Sequence, residues 1–205
     1  MMIAIVDYGV GNLTSIQNML KKGGVNSIIS SDKTEIENSE KLILPGMGAF
    51  DNCMQKFNDS GLRTSIEKKI FEQKIPVLGI CVGLQMFMDS SEEGNAAGLG
   101  WIKGRTVAFD KGRMTDTQKV PNMGWLETTK TKDSKLMSAL EGARFYFAHS
   151  FHVQLDDAND GLLMAGHGYD FTAAAEKNNI VGVQFHPEKS HRFGLQLLKN
   201  FAENY

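Results

Sequence analysis

The chain has 205 residues, of which 41% are hydrophobic and 22% charged, the size and make-up of a single α/β domain at about 150 residues per domain. Its 22 Lys and Arg against 24 Asp and Glu leave a net charge of -2, which excludes a polybasic nucleic-acid binder or membrane-surface protein. A chain of this length buries roughly 70% of its unfolded surface and needs no disulfide staple, and its two cysteines, Cys53 and Cys81, fit a reducing cytoplasm.

The opening apolar run is cut by Asp7, too early for a signal segment or a membrane span. Residues 3–6 predict a short strand that ends in the glycine-rich turn of residues 7–12. Leu13, Ile16, Met19 and Leu20 then recur at helical spacing until Gly23 and Gly24 stop the helix. Strands follow at 25–29 and 42–44, the second closed by Pro45, Gly46, Met47 and Gly48. Residues 50–71 read as two helical segments broken near Ser60 and Gly61, and residues 76–80 as a strand apolar on both faces. This alternation predicts a doubly wound, mostly parallel sheet flanked by helices.

Beyond residue 98 the pattern changes to short aromatic and β-branched runs at 106–109, 145–147, 151–155, 162–165 and 180–184. We read these as an antiparallel or mixed extension of the first sheet, with helices at 134–140 and 193–201. No repeat or linker marks a boundary, so residues 1–205 are taken as one domain.

Chemistry concentrates at two places. Gly79, Ile80, Cys81, Val82 and Gly83 join a buried strand to a helical run carrying Leu84, Met86 and Phe87. That is the nucleophile-elbow pattern with Cys in place of Ser. Small residues two positions either side let the turn push the sulfur outward. The following helix start favours the thiolate, and the N–H of Val82 is placed to bind an oxyanion. A structural core cysteine would occupy a similar position, but a nucleophile also needs a base and an orienter. Near the C-terminus stand His186, Pro187 and Glu188. Pro187 biases His186 to extended backbone, where residues two apart share a side, so Glu188 can accept from the imidazole. Alone, His186 reads equally well as a surface histidine; with the elbow it completes a Cys–His–Glu triad.

Other candidates weigh less. The G-x-G of residues 9–11 lacks the third glycine of a dinucleotide site. His149 and His152 have no carboxylate or cysteine cluster beside them, so no metal site is expected. Cys53 reads as packing within a helix, and Trp101 and Trp125 as core or edge residues.

The segments around Cys81–Gln85 and Gln184–Glu188 resemble class I (triad) glutamine amidotransferases. Residues 7–12, 44–50, 121–125, 146–150 and 186–190 narrow the likeness to the glutaminase subunits of imidazole glycerol phosphate synthases, over essentially the whole chain. The resemblance implies that Cys81 attacks the side-chain amide of L-glutamine, that His186 passes protons and that Glu188 orients His186. It implies an oxyanion hole from backbone N–H groups of Gly46, Met47 and Val82, and glutamine held by Gly48, Gln85 and Ser150. It places Asn12, Asn122, Met123, Trp125 and Lys189 at the interface with a (β/α)8-barrel cyclase, which receives the ammonia through a tunnel. No cofactor is implied. Asn122, Leu126 and His191 depart from the histidine-pathway pattern and leave open a paralogous branch feeding ammonia to a sugar amidotransferase of surface-polysaccharide synthesis. A stand-alone cysteine hydrolase and a catalytically silent binding subunit are the alternatives from other classes.

Overall fold

The computed structural model of the chain describes residues 2–205. Strand β1 (Ile3–Val6) is followed by α1 (Leu13–Lys22), β2 (Ser27–Ser30), α2 (Lys33–Asn38), β3 (Lys41–Gly46), α3 (Phe50–Asp59) and α4 (Arg63–Phe71). Then come β4 (Val77–Cys81), α5 (Val82–Met86), β5 (Ser90–Ser91), β6 (Gly104–Ala108), β7 (Asn122–Glu127) and β8 (Thr129–Lys130). The chain continues through β9 (Arg144–His149), β10 (Phe151–Leu155), β11 (Gly161–His167), β12 (Tyr169–Lys177) and β13 (Ile180–Val183) to α6 (His191–Asn204).

Among the described residues eleven strands form one sheet, with β2-β1-β3-β4-β13 parallel along one side from the edge strand β2 inward. Every residue of β1, β3, β4 and β13 is buried, as their apolar sequences require of parallel strands covered on both faces; Lys41, which opens β3, is the charged exception and donates to the carbonyls of Phe201 and Ala202. Beyond β13 the sheet turns antiparallel through β12, which pairs with β13, β10 and β11. This is the mixed extension expected from the aromatic and β-branched runs. No helix among the described residues is long and apolar enough to cross a membrane.

Four local expectations are corrected. The short helix α2 was not foreseen: only Ile36 of it is buried, so it has no apolar periodicity, although Asp32 caps it by accepting from the Glu35 N–H. Strand β12 was missed because its centre is Ala173, Ala174 and Ala175, poor strand formers held there by pairing on both edges. Residues 121–125, to which no strand was assigned, lie largely in β7, which forms a separate two-stranded ladder with β9 in register Asn122↔His149 to Glu127↔Arg144. The helix expected at 134–140 is a single 3-10 turn at Lys135–Met137, ended by Ala139 at φ 57°. In addition, α6 begins two residues before the predicted start.

The register decides where function can sit. Gly46 pairs with Cys81, and Val183 with Ile80, so the carboxyl ends of β3, β4 and β13 lie side by side at one sheet edge. In parallel α/β sheets ligands bind at that edge.

Candidate active site

Cys81 is the last residue of β4 and the cap of α5, with φ 56° and ψ -112°. A non-glycine residue held there stores about 1–3 kcal/mol of backbone strain, which persists only where the surroundings fix it. Two glycines do so. A Cβ on Gly83 would stand 2.0 Å from the Leu44 carbonyl oxygen, and one on Gly46 2.5 Å from the Gly83 nitrogen. The turn therefore presses directly on β3, and no side chain fits between. Gly83→Ala is expected to destabilise the chain by about 3 kcal/mol or more through overpacking of backbone. Urea unfolding checks it, and a loss below about 1 kcal/mol would show that the elbow yields more easily than its contacts imply.

His186 follows β13, and its Nδ1 lies 2.9 Å from Glu188 Oε1, with the two side chains 7% and 1% exposed. The other oxygen of Glu188 is buried without a hydrogen bond, so among the described residues its polar attention goes to the imidazole. The His186 backbone is pinned as well. Its N–H donates to the Tyr146 carbonyl at 2.9 Å, and its carbonyl accepts from Ser190 Oγ at 2.7 Å. Ser190, fully buried, in turn accepts from the Tyr146 N–H at 3.0 Å. Burial works against a charged imidazole here, but hydrogen bonds and charge from Cys81 and Glu188 outweigh it and lift His186 to about 9.

That balance is testable, with its sign fixed. Native His186 should stay protonated through neutral pH and titrate near 9, which nitrogen NMR measures directly. In a Cys81→Ala, Glu188→Gln double variant only the burial penalty remains, and His186 should titrate below its ordinary value of 6.5. An unchanged titration would mean the two partners are not its cause. The stability contributed by the native pairing is present in full below about pH 6.5 and is lost as pH rises through 9.

Cys81 and His186 open on a cavity of about 270 Å³ whose lining also includes Met47, Gly48, Val82, Gln85, Glu93, Ser150 and Lys189. The structure thus gathers Cys81, His186, Met47, Val82, Gly48, Gln85 and Ser150 around one space; Glu188 reaches it only through His186, and Gly46 ends β3 outside the lining. Met47 is 51% exposed at the rim. Behind it, Tyr8 Oη donates to the Pro45 carbonyl and Cys53 Sγ lies 3.4 Å from the Met47 carbonyl, so Cys53 packs behind the glycine loop.

Several lining residues were given no role at this site from the sequence: Glu93, Pro121, Ala148, Phe151, and His149, which was weighed only as a metal ligand. Glu93 comes from the segment after α5, where nothing local marks it. Gln184 was quoted only as part of a motif, yet its Nε2 is 3.7 Å from Cys81 Sγ and its Oε1 accepts from Gln85 Nε2 at 3.1 Å. Its place two residues before His186, on an extended segment, was the available signal. Among the described residues no group of three or more His, Cys, Asp or Glu is placed to hold a metal ion.

Of the residues expected at an interface, Met123 and Trp125 are 65% and 39% exposed on β7. Trp125 stacks on His191 with ring centroids 5.4 Å apart and planes 4° apart, and the Arg144 guanidinium lies 5.8 Å from its ring. Lys189 Nζ lies 5.8 Å from the Tyr146 ring, beside the cavity mouth. Asn12 is half-buried at the start of α1. Asn122 points inward instead: it is buried, with its Nδ2 3.0 Å from His149 Nε2.

Comparison with known proteins agrees with this geometry. An "Imidazole glycerol phosphate synthase subunit HisH" of Leptospira borgpetersenii is 45% identical over 202 residues, 98% of this chain and 99% of the relative. An "Imidazole glycerol phosphate synthase subunit HisH 2" of Pseudomonas aeruginosa is 46% identical over 203 residues, again 98% and 99%. Among solved structures, one titled "Structure of PurLQS from Thermotoga maritima" superposes with a TM-score of 0.72 at 18% identity, covering 98% of this chain and 96% of the other, a likeness of fold. The model of the family "Glutamine amidotransferase class-I" matches residues 4–205. The match takes in the elbow, the histidine segment and the strands that bring them together, and the chain belongs to the class-I glutamine amidotransferases.

Proposed function

We propose that the chain is the glutaminase subunit of an imidazole glycerol phosphate synthase, working in the cytoplasm and passing ammonia to a (β/α)8-barrel cyclase. One observation carries the chemistry: a strained cysteine at a strand-to-helix elbow shares a small cavity with a buried His–Glu pair. The pathway reading rests on relatives 44–46% identical over nearly the whole chain that carry that enzyme's name.

L-Glutamine enters with its amide carbon over Cys81 Sγ. Its zwitterionic end finds charges of both signs in the wall, Glu93 for the α-ammonium and Lys189 for the α-carboxylate. Gln85 has both amide N–H bonds committed, to Phe151 and Gln184, and so offers the substrate its carbonyl oxygen. Gly48 and Ser150 complete the walls. The sulfur attacks the amide carbon, and the developing oxyanion takes N–H bonds from Val82 and the 46–48 segment. His186 gives its proton to the departing nitrogen, ammonia leaves, and a γ-glutamyl thioester remains on Cys81. Water then attacks the thioester, its proton passes to His186, and glutamate is released. Glu188 keeps the imidazole aimed throughout.

The exposed Met123 and Trp125, with Lys189 at the cavity mouth, form the docking face for the cyclase, and Asn12 stands beside the same edge. Mixing the purified chain with a histidine-pathway cyclase, L-glutamine and its ribulosyl aminoimidazole-carboxamide substrate should yield imidazole glycerol phosphate. Absence of that product, with a cyclase that works on added ammonium, would overturn the pathway reading. Glutamine-dependent amidation of a sugar by its own synthetase would then identify the acceptor.

A further inference from the structure

A continuous polar chain joins the docking ladder to the nucleophile, through Gln85 and through Asn122, His149 and Gln184, which the reaction above leaves without a task. It begins at Asn122, 2% exposed although its neighbour Met123 stands in solvent. Asn122 Nδ2 is 3.0 Å from His149 Nε2, and His149 Nδ1 is 2.8 Å from the Phe151 carbonyl oxygen. A carbonyl can only accept, so His149 carries its proton on Nδ1 and receives the Asn122 amide at Nε2. Burial pushes His149 down to about 3, so the neutral form persists at ordinary pH.

The Phe151 carbonyl is shared. It also accepts from Gln85 Nε2 at 3.0 Å, and that same nitrogen donates to Gln184 Oε1 at 3.1 Å. With its oxygen so engaged, Gln184 turns Nε2 toward the Cys81 sulfur, 3.7 Å away. Flipping Gln184 would set its donor against the donor of Gln85, so each amide fixes the orientation of the next. Asn122, His149, Gln85, Gln184 and Cys81 are all buried, where a hydrogen bond is stronger than in water.

Resting on the glutaminase reading and deepening it, we propose that Gln184 is a catalytic residue that orients the Cys81 sulfur, with Asn122 and His149 as its positioning residues. Asn122 donates to His149 Nε2 and so reinforces the tautomer that the Phe151 carbonyl sets; His149 and Gln85 clamp that carbonyl between them; Gln184 delivers the final N–H. Because Asn122 is the first residue of β7, and Met123 and Trp125 follow on the same strand, movement of that strand on docking reaches the sulfur through this chain.

Three measurements on the full chain test it. Nitrogen NMR of the native protein should show His149 as the Nδ1–H tautomer from about pH 6 to 9, and the Nε2–H tautomer would overturn the proposal outright. Gln184→Met, which keeps volume but removes the donor, should slow alkylation of Cys81 by iodoacetamide about tenfold, the scale of one hydrogen bond to a charged group. Asn122→Leu should slow it about threefold, with labelling of buried Cys53 unchanged in both; Cys81 rates equal to native would overturn it. With saturating cyclase, Asn122→Leu should lower glutaminase kcat by a similar factor with KM nearly constant, whereas a space-filling role predicts native kcat. The tautomer and alkylation readings need no glutamine turnover. A native chain that fails to hydrolyse glutamine would therefore fail the proposed function, while those two still judge the polar chain; the tautomer reading, made on the native protein, judges it even where a variant does not fold.

Discussion

Cys81→Ala is expected to abolish glutamine-dependent product formation while leaving the cyclase partner able to use added ammonium. The sulfur is the one atom the first step cannot replace. Loss of a nucleophile in an assembled triad typically costs on the order of 10⁴–10⁶ in rate. The fold should survive, because β4 and α5 are fixed by backbone contacts among Leu44, Gly46 and Gly83 and not by the thiol. Equal loss of ammonium-dependent activity would count against the assignment, since it would place Cys81 in the partner's chemistry or in the scaffold. Cys81→Gly adds a second arm. Glycine accepts φ 56° and ψ -112° without penalty, so it should be inactive yet more stable than Cys81→Ala by about 1–3 kcal/mol. No difference in denaturant midpoint would show that the elbow is not strained. Glu188→Gln should slow turnover less than His186→Ala, since it disorients the base without deleting it.

How much of this was legible in the residues differs between the two halves of the chain. The parallel part of the sheet was readable because strands buried on both faces leave unbroken apolar runs, as in residues 3–6 and 76–80, and because glycines stand at or just past the ends of β1, β3 and β4. Cys81, His186 and Glu188 were readable because a sharp turn and an X-Pro step leave local signatures. Strand β12 was not, since an alanine run has no strand preference of its own and is held by partners at residues 161–167 and 180–183. The ladder of β7 with β9 is likewise set by pairing across the intervening residues. The same holds within the site. Gln184 lies within a quoted motif, but its contact with Cys81 spans 103 positions and comes from the pairing of β13 with β4. Asn122 looked like an interface residue by position, while alternation along β7 turns it inward between exposed neighbours on the outer face.

Trp125→Ala is expected to weaken docking of the cyclase by about 2 kcal/mol, roughly 30-fold in Kd, as for an aromatic anchor at the centre of an interface. The ring is 39% exposed and already held flat against His191, with Arg144 above it, so little freedom is left to lose on binding. Met123 beside it is 65% exposed and extends the same apolar surface. The effect should be one of affinity: at subsaturating cyclase the stimulated glutaminase rate falls, and enough cyclase restores it to the native level. Asn122→Leu should behave in the opposite way, with near-native affinity and a rate that saturating cyclase does not restore. Titration calorimetry with stimulated-rate curves separates the two. A Trp125→Ala chain that binds within about threefold of native would remove this ladder from the interface. Restoration of Asn122→Leu by excess cyclase would make it an ordinary contact residue. The two substitutions lie three residues apart on one strand, so opposite outcomes would separate the surface that captures the partner from the buried chain that reports its arrival.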